Sequence, residues 1–502
     1  MRVLFVTSEV FPLAKSGGLA DVSSALPAAL KAEGIDVRVL LPAYPRALAA
    51  LKNAKVEAPL PKMLGVEGAV LLSGEIPGSD VRVWLIHAPA LYLRDGGLYQ
   101  DGEGHDWADN ALRFGFLSHV AQAIVSGRAG NWIPDVVHAN DWHAGLLPLL
   151  AAMNDGPRPA TVFTIHNMAF QGNFPAQLCS DLEIPDRLFH SDGIEFYGQL
   201  SFLKAGIRYA DHITTVSPTY AKEILTPEFG CGLDGVLRQR SQSLSGLLNG
   251  IDVNLWNPRS DIHLAHSFCA ADISGKRLCK TELQRELGLE RSAETPLIGF
   301  VSRLAHQKMA DVILEAAPRI LENGAQLVVV GQGDPALEAA FAELTPSHPG
   351  LVVRIGYEEG LAHRLHAGAD VLLAPARYEP CGLTQLYAMR YGTVPVVRRT
   401  GGLKDTVVEA SQSNLFDRTA TGILFDEASM DGLMRGVVQA LALYREPLLW
   451  RRLQLQGMAQ DFSWAASAAR YASLYRQAEP LADVAVETAP QRIVLPPSVH
   501  AA

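Results

Sequence analysis

Short apolar runs, each followed by an amphipathic stretch, recur along most of the 502 residues. In the first half the runs are RVLFVT from Arg2, DVRVLLP from Asp36, VRVWLIHA from Val81, DVVHAN from Asp135, TVFTIH from Thr161 and HITTVS from His212. Between them the 3.6-residue period predicts a helix over 20–33 closed by Gly34, a long amphipathic segment over 107–125, a helix after Asp141 and another near 197–210. Turn residues then gather in NGIDVNLWNP from Asn249, and a second series begins. Its strands are LIGFVSRL, LVVVG, LVVRIGY, DVLLAPA, VPVVRR and GILFD, with helices predicted over 310–323 (capped by Gly324), 335–343, 359–368 and 383–391. Strands alternating with helices predict doubly wound parallel sheets, so the chain reads as α/β with two Rossmann-like domains. We expect an N-terminal domain over 1–250, a second over 251–460, a helix within 461–480 that crosses back, and a frayed tail from about Glu479, covering 481–502.

Two such sheets facing one another make a cleft at the carboxyl ends of their strands, where ligands bind in open α/β folds. Chemistry-bearing residues are therefore sought just after strands. The stretch Tyr378-Glu379-Pro380-Cys381-Gly382-Leu383-Thr384-Gln385 follows the DVLLAPA strand and leads into a helix. Free backbone N–H groups at such a start suit an anion, Glu379 supplies a carboxylate and Gly382 lets a ligand approach the backbone. An ordinary strand-to-helix turn with a surface Glu is the competing reading. Arg303 and Lys308, in the loop after LIGFV, would suit a diphosphate as a planar fork and a mobile point charge, or be merely solvated. After the first strand, KSGGLADV puts Lys15, Gly17, Gly18 and Asp21 at a helix start, which is neither the dinucleotide fingerprint nor a Walker loop. His138, Asp141 and His143, then His166 and Asn167, end later strands; the spacing hints at a metal, yet a strand end sends such side chains to different sides.

Composition narrows the partners. A net charge of −10 argues against nucleic acid or an anionic membrane surface, both of which call for a basic face. Five scattered cysteines form neither a disulfide framework nor a zinc site, so we expect a reducing, cytoplasmic setting. MRVLFVTSEVF has too short an apolar run for a signal peptide and reads as a first strand. No apolar run approaches the roughly 18 to 20 residues of a membrane span.

Taken together, KSGGLADV, VHANDWHAG, TIHNMAFQGNFP, GCGLDGVL, LNGID, SRLAHQK, IGYEEGLAHRL and YEPCGLTQLYAMRYGTVPVVRRTGGLKDT resemble the bacterial glycogen synthases and plant starch synthases, in family order across residues 1 to about 480. The resemblance implies the GT-B glycosyltransferase fold, two Rossmann-like domains facing across a deep cleft. It also implies an ADP-glucose-dependent glucosyltransferase that extends α-1,4-glucan such as glycogen with retention of configuration, needing no cofactor and no metal. Carried over by motif, Glu379 is similar to the acidic residue beside the donor glucose, and Arg303 and Lys308 to a diphosphate clamp. Cys381, Gly382, Leu383 and Thr384 resemble the backbone around that clamp. Lys15, Gly17 and Gly18 resemble a loop that closes on the donor, with Asp21 behind it. His166 is similar to a histidine that reaches the glucose, Asp141 and Asn249 match polar residues near the sugar, and Tyr357 matches an aromatic residue over adenine. Four positions depart from the commoner pattern. Ser16 replaces Thr, Asn140 replaces the His before Asp-Trp, and Met309 replaces a Gly after Lys308. Tyr387 stands where many retaining relatives of this fold have a second Glu, as is typical of the glycogen and starch synthases. The rival readings are a transferase of the same fold with another donor or acceptor, a sugar-binding relative without catalysis, and a sugar-nucleotide epimerase.

Overall fold

The structure, a computed structural model, describes residues 1–51, 54–154 and 157–480. The chain divides into two compact units. One holds Met1–Thr214, Gly230–Leu244 and the chain from Ala469; the other holds Thr215–Phe229 and Ser245–Ala468. The division is thus not a single cut near residue 250, because Thr215–Phe229 packs with the second unit. The helix Trp464–Gln477 begins in the second unit and ends in the first.

In the second unit six parallel strands run in the order Leu351–Ile355, Gln326–Gly331, Leu297–Val301, Val371–Ala374, Val394–Arg398, Ile423–Phe425. Side chains alternate between its faces. Ile298, Phe300, Leu327, Val329, Val371 and Leu373 join one apolar cluster, while Leu297, Val301, Val328, Val330 and Leu372 join another. A parallel strand covered on both faces is apolar along its covered length, which is why LIGFV and LVVVG carry no alternation of polar and apolar residues. The helix Ala310–Glu322 closes one face with Val312, Ile313, Ala316, Ala317 and Ile320. The sheet starts at Leu297–Val301, winds outward through two strands, and returns to place Val371–Ala374 on the other side. That reversal opens a crevice between the carboxyl ends of Leu297–Val301 and Val371–Ala374.

The first unit repeats the device. Its nine-stranded sheet has Arg2–Val6 between Asp36–Pro42 and Val136–Asn140, parallel to both, so the reversal falls between Arg2–Val6 and Val136–Asn140. Ala160–Ile165 lies beyond Val136–Asn140 in parallel. At the opposite edge the predicted strand Arg82–His87 is antiparallel to Val70–Glu75, which is antiparallel to Lys55–Pro59; these last two strands were not foreseen.

Two expected helices need correction, and a third helix was missed. The helix expected over 107–125 runs Asn110–Val125 and is not amphipathic: every residue except Leu112 is buried. Its charged residue is paired instead, with Arg113 donating to the carbonyls of Leu91 (2.9 Å) and Leu98 (3.0 Å) and to Asn110 Oδ1 (2.7 Å), while Ser118 Oγ and Gln122 Oε1 stay buried without partners. The helix expected near 197–210 is a short strand, Gln199–Ser201, followed by Phe202–Tyr209, whose start is capped by the Ser201 hydroxyl. The strand joins Asn173–Pro175 and Glu195–Phe196 in a small antiparallel sheet. A helix over Ser274–Leu287 was not foreseen, because two of its inward positions are lysines. Lys276 donates to Ala367 O (3.0 Å) and Thr393 Oγ1 (2.6 Å), and Lys280 pairs with Asp370 (2.7 Å). Burial, with a smaller push from the Lys280 charge, brings the Lys276 amine down to about 7.

Among the described residues no helix is long and apolar enough to cross a membrane. Most of the tail expected to fray, from residue 481 on, lies outside the described residues.

Candidate active site

Many of the singled-out residues stand at the two reversals. In the second unit the loop after Leu297–Val301 carries Arg303 and Lys308, and the loop after Val371–Ala374 carries Glu379 to Thr384. Lys308 Nζ donates to Glu379, a buried residue at 8% exposure. Arg303 is exposed and rests its guanidinium on Gln307 Oε1 (3.2 Å), and the Gln307 amide donates across to Tyr378 O (3.2 Å). The two loops are further stitched by Arg377, which forks onto both oxygens of Asp311 at 2.8 Å and caps His306 O at 2.5 Å. Lys308 and Arg303 are thus held on a rigid turn, and Met309 ends that turn in the left-handed region at φ 55°. This explains why a glycine suits the position; the Met309 side chain is fully buried in the core, which offsets the backbone cost.

Gly382 sits at φ +74°, and a Cβ there would lie 2.5 Å from the Gln385 amide oxygen, so only glycine fits. Gln385 in turn donates to Gly382 O (2.9 Å) and Thr406 Oγ1 (3.1 Å). Among the described residues no hydrogen-bond acceptor meets the amides of Gly382, Leu383 and Thr384, where the helix Thr384–Arg390 begins. Two cations and three open amides therefore converge on one crevice, beside a carboxylate. Asn249 closes the group: its backbone N–H faces the Cys381 thiol, which burial pushes up to about 12, and its buried Oδ1 has no partner. Gly401 presses so closely on Glu379 that a Cβ would meet the Glu379 carbonyl, and the Gly401 amide donates to the Glu223 carboxylate at 3.0 Å. Tyr357, at the carboxyl end of the edge strand Leu351–Ile355, stands 56% exposed rather than packed under a helix.

In the first unit Lys15 pairs with Asp21 at 2.8 Å. The loop carrying Gly17 and Gly18 is held by a residue that sequence reasoning passed over: buried Glu9 accepts from Ser16 N (2.7 Å), Gly17 N (2.9 Å) and Tyr99 Oη (2.6 Å). Amides that the sequence suggested for a phosphate are partly spent on this carboxylate. A lone acid inside the apolar stretch VTSEVF was the available signal, since a buried charge demands partners. The Tyr99 ring stacks on His143 (4.5 Å) and so ties this loop to the one after Val136–Asn140.

There Asp141 occupies φ 58°, ψ −180°, a region almost reserved for glycine, as residues at working sites often do. Its carboxyl is buried against the backbone N–H groups of His166 and Asn167, and burial raises its pKa to about 8. One oxygen, Oδ1, has no partner. His166 Nε2 meets Asn140 Oδ1 at 3.0 Å, and burial lowers its pKa to about 3, although part of the ring still reaches solvent. The other histidines go elsewhere: His138 bonds Tyr475 (2.7 Å) and Thr164 (2.6 Å), and His143 lies among Tyr99, Phe114 and Trp142. Among the described residues no group of His, Cys, Asp or Glu is arranged to hold a metal ion.

Similarity agrees with this geometry. The model of the starch synthase catalytic domain matches residues 2–239, and that of the group 1 glycosyl transferases matches residues 295–442. A glycogen synthase of Thioalkalivibrio sulfidiphilus is 52% identical over 95% of this chain and 99% of its own length. The chain belongs to the glycogen synthase and starch synthase family. A glycogen synthase of Paramagnetospirillum magneticum is likewise 52% identical, over 95% of this chain and 97% of its own. Among solved structures, the catalytic domain of starch synthase IV from Arabidopsis thaliana, bound to ADP and acarbose, superposes with a TM-score of 0.85 at 31% identity, covering 95% of this chain and 99% of that one. Sucrose-phosphate synthase from Thermosynechococcus elongatus, at 18% identity and a TM-score of 0.58, shares the fold. As in the rest of the family, the two Rossmann-like units make up a GT-B fold, and the chemistry is glycosyl transfer.

Proposed function

We propose that the protein transfers glucose from ADP-glucose to the non-reducing end of an α-1,4-glucan, with retention of anomeric configuration. The observation that carries this reading is the crevice at the second sheet's reversal, where one loop brings Arg303 and Lys308, the other brings Glu379 and the free amides of Gly382, Leu383 and Thr384, and Lys308 pairs with the buried Glu379 carboxylate. A nucleoside diphosphate is the ligand that such a cationic, amide-lined strand end suits. The ADP bound to the Arabidopsis relative supports adenine as the base, with Tyr357 to cover it. Asn249 Oδ1, a buried acceptor, and Asp141 Oδ1, the oxygen left to carry the proton of the neutral carboxyl, have no partners and suit sugar hydroxyls, as does His166.

In this reaction the bond between the glucose anomeric carbon and the diphosphate oxygen breaks, and the electron pair leaves with ADP. Arg303, Lys308 and the three amides stabilise the charge that grows on the leaving oxygen. Glu379 favours the positive charge that develops on the sugar. The glucan 4-hydroxyl attacks the same face, forms the new C1–O bond and gives its proton to the departing phosphate. The loop of Lys15, Gly17 and Gly18 would cover the donor, with Asp21 holding Lys15.

Transfer of radiolabelled glucose from ADP-glucose into glycogen, with UDP-glucose as competitor, tests the reading. Label should enter the glucan in bonds that an α-1,4-specific hydrolase releases. Release of free sugar without chain growth, or equal use of UDP-glucose, would refute it. Because cations and amides already oppose the diphosphate charge, activity should survive chelation with EDTA. Loss with EDTA and rescue by Mg²⁺ or Mn²⁺ would overturn that part.

A further inference from the structure

Asn140 ends the strand Val136–Asn140 at 1% exposure, and its hydrogen bonds leave one orientation for its side-chain amide. Nδ2 faces two carbonyl oxygens, Val6 O at 3.2 Å and His138 O at 3.4 Å, which accept and never donate. Oδ1 is thereby turned to His166 Nε2 at 3.0 Å. An amide oxygen only accepts, so Nε2 must carry the proton. Burial holds the imidazole neutral, with a pKa lowered to about 3, so there is a single ring proton and none is left for Nδ1. Nδ1 has no hydrogen-bond partner among the described residues. The backbone of His166 is fixed by the neighbouring residue, since its N–H points at the buried Asp141 carboxyl.

We propose that Asn140 is a positioning residue that locks His166 as the Nε2–H tautomer, so that His166 meets bound sugar as a hydrogen-bond acceptor at Nδ1 and selects a hydroxyl that donates. The tautomer follows from the first unit alone; the identity of the ligand as a sugar rests on the function proposed above. Asn and His at position 140 are not equivalent in this scheme. A carboxamide whose amine is tied to two carbonyls offers His166 only an acceptor, whereas an imidazole there could offer either a donor or an acceptor.

The test is ¹⁵N NMR of the full-length protein labelled at histidine, with the His166 signals assigned by their loss in His166→Gln. In the free wild type the pyridine-type resonance should belong to Nδ1; finding it on Nε2 would overturn the proposal. Addition of ADP-glucose or of a maltooligosaccharide should move the Nδ1 resonance as it accepts a hydrogen bond, and no movement with either would overturn the acceptor role. Asn140→Leu removes the acceptor, so both tautomers should become populated and kcat/KM should fall about tenfold, the size of one lost buried hydrogen bond. An unchanged tautomer in that variant would assign the lock to something else. Asn140→Asp keeps an acceptor opposite Nε2, and at alkaline pH should restore the wild-type tautomer. The expected tautomer in a protein that transfers no glucose from ADP-glucose would overturn the proposed reaction while upholding the lock.

Discussion

Replacing Lys308 with Ala separates two roles that the structure gives to one side chain. Its ammonium neutralises Glu379 in the resting protein, and in the proposed reaction it also faces the departing diphosphate. The pair is half-sheltered: the Lys308 side chain is 20% exposed and that of Glu379 11%. Fully exposed pairs are worth ~1 kcal/mol or less, and breaking fully buried ones costs ~3–5 kcal/mol, so about 2 kcal/mol of stability should be lost here. The loss in turnover should be larger. A preorganised donor aimed at developing negative charge is worth ~3–4 kcal/mol, or about 100- to 1,000-fold in kcat. Transfer of radiolabelled glucose gives kcat and KM, and urea unfolding followed by tryptophan fluorescence gives the stability change. Combining Lys308→Ala with Glu379→Gln completes a double-mutant cycle. If Lys308 served only to neutralise Glu379, the double variant would regain stability and turn over no more slowly than Glu379→Gln alone. With a direct role at the diphosphate, the double variant regains stability but is slower than either single one. A Lys308→Ala enzyme with wild-type kcat would refute the reasoning outright.

Three further outcomes follow from the same geometry. Glu379→Gln keeps shape and removes charge, so kcat should drop far more than the affinity for ADP-glucose; an effect on affinity alone would reduce Glu379 to a binding group. Asp141, with its carboxyl raised to about 8 by burial, stays protonated in the folded state while the unfolded chain ionises near its ordinary value. Its contribution to stability is therefore fully present below about pH 4 and is lost progressively up to about pH 8, by ~1.4 kcal/mol for each pH unit. Asp141→Asn should raise the urea midpoint at pH 7.5 and leave it unchanged at pH 4, while lowering activity; equal midpoint shifts at both pH values would show that ionisation is not the cause. Tyr357→Ala should weaken ADP-glucose binding about tenfold, from lost stacking and burial, and narrow the preference over UDP-glucose. With Tyr357 already 56% exposed, little stability should change, and a lower melting temperature with unchanged binding of both donors would place the base elsewhere.

What the chain determines locally was legible residue by residue. Runs such as LIGFV and LVVVG are apolar at every position because both faces of a parallel strand are covered, so the strands and the α/β class follow from the pattern without any knowledge of neighbours. Chemistry placed after strands was legible for the same reason: a parallel sheet brings all its carboxyl ends to one edge. Lys308 and Glu379 lie 71 residues apart yet share an ion pair, because strands that are distant in sequence are neighbours at the reversal. Which strands become neighbours was decided only by the tertiary structure. Order in the sheet depends on how helices such as Ala310–Glu322 cover its faces, and no local period encodes that choice.

The same limit explains the elements and residues that were missed. Asn110–Val125 carries the polar positions of an amphipathic helix, yet is buried all round because Arg113 and Asn110 find partners in distant loops. Ser274–Leu287 hid behind Lys276 and Lys280, whose burial is tolerable only once Thr393 and Asp370 have been brought to them. Glu9, Tyr99 and Gln307 look unremarkable in sequence, since each acts in part through a partner that lies many residues away. Sequence alone determines which groups are available, because side-chain chemistry and period are local. Their pairing, their pKa values and the tautomer of His166 belong to the tertiary structure, because desolvation and hydrogen-bond geometry exist only after distant segments have met.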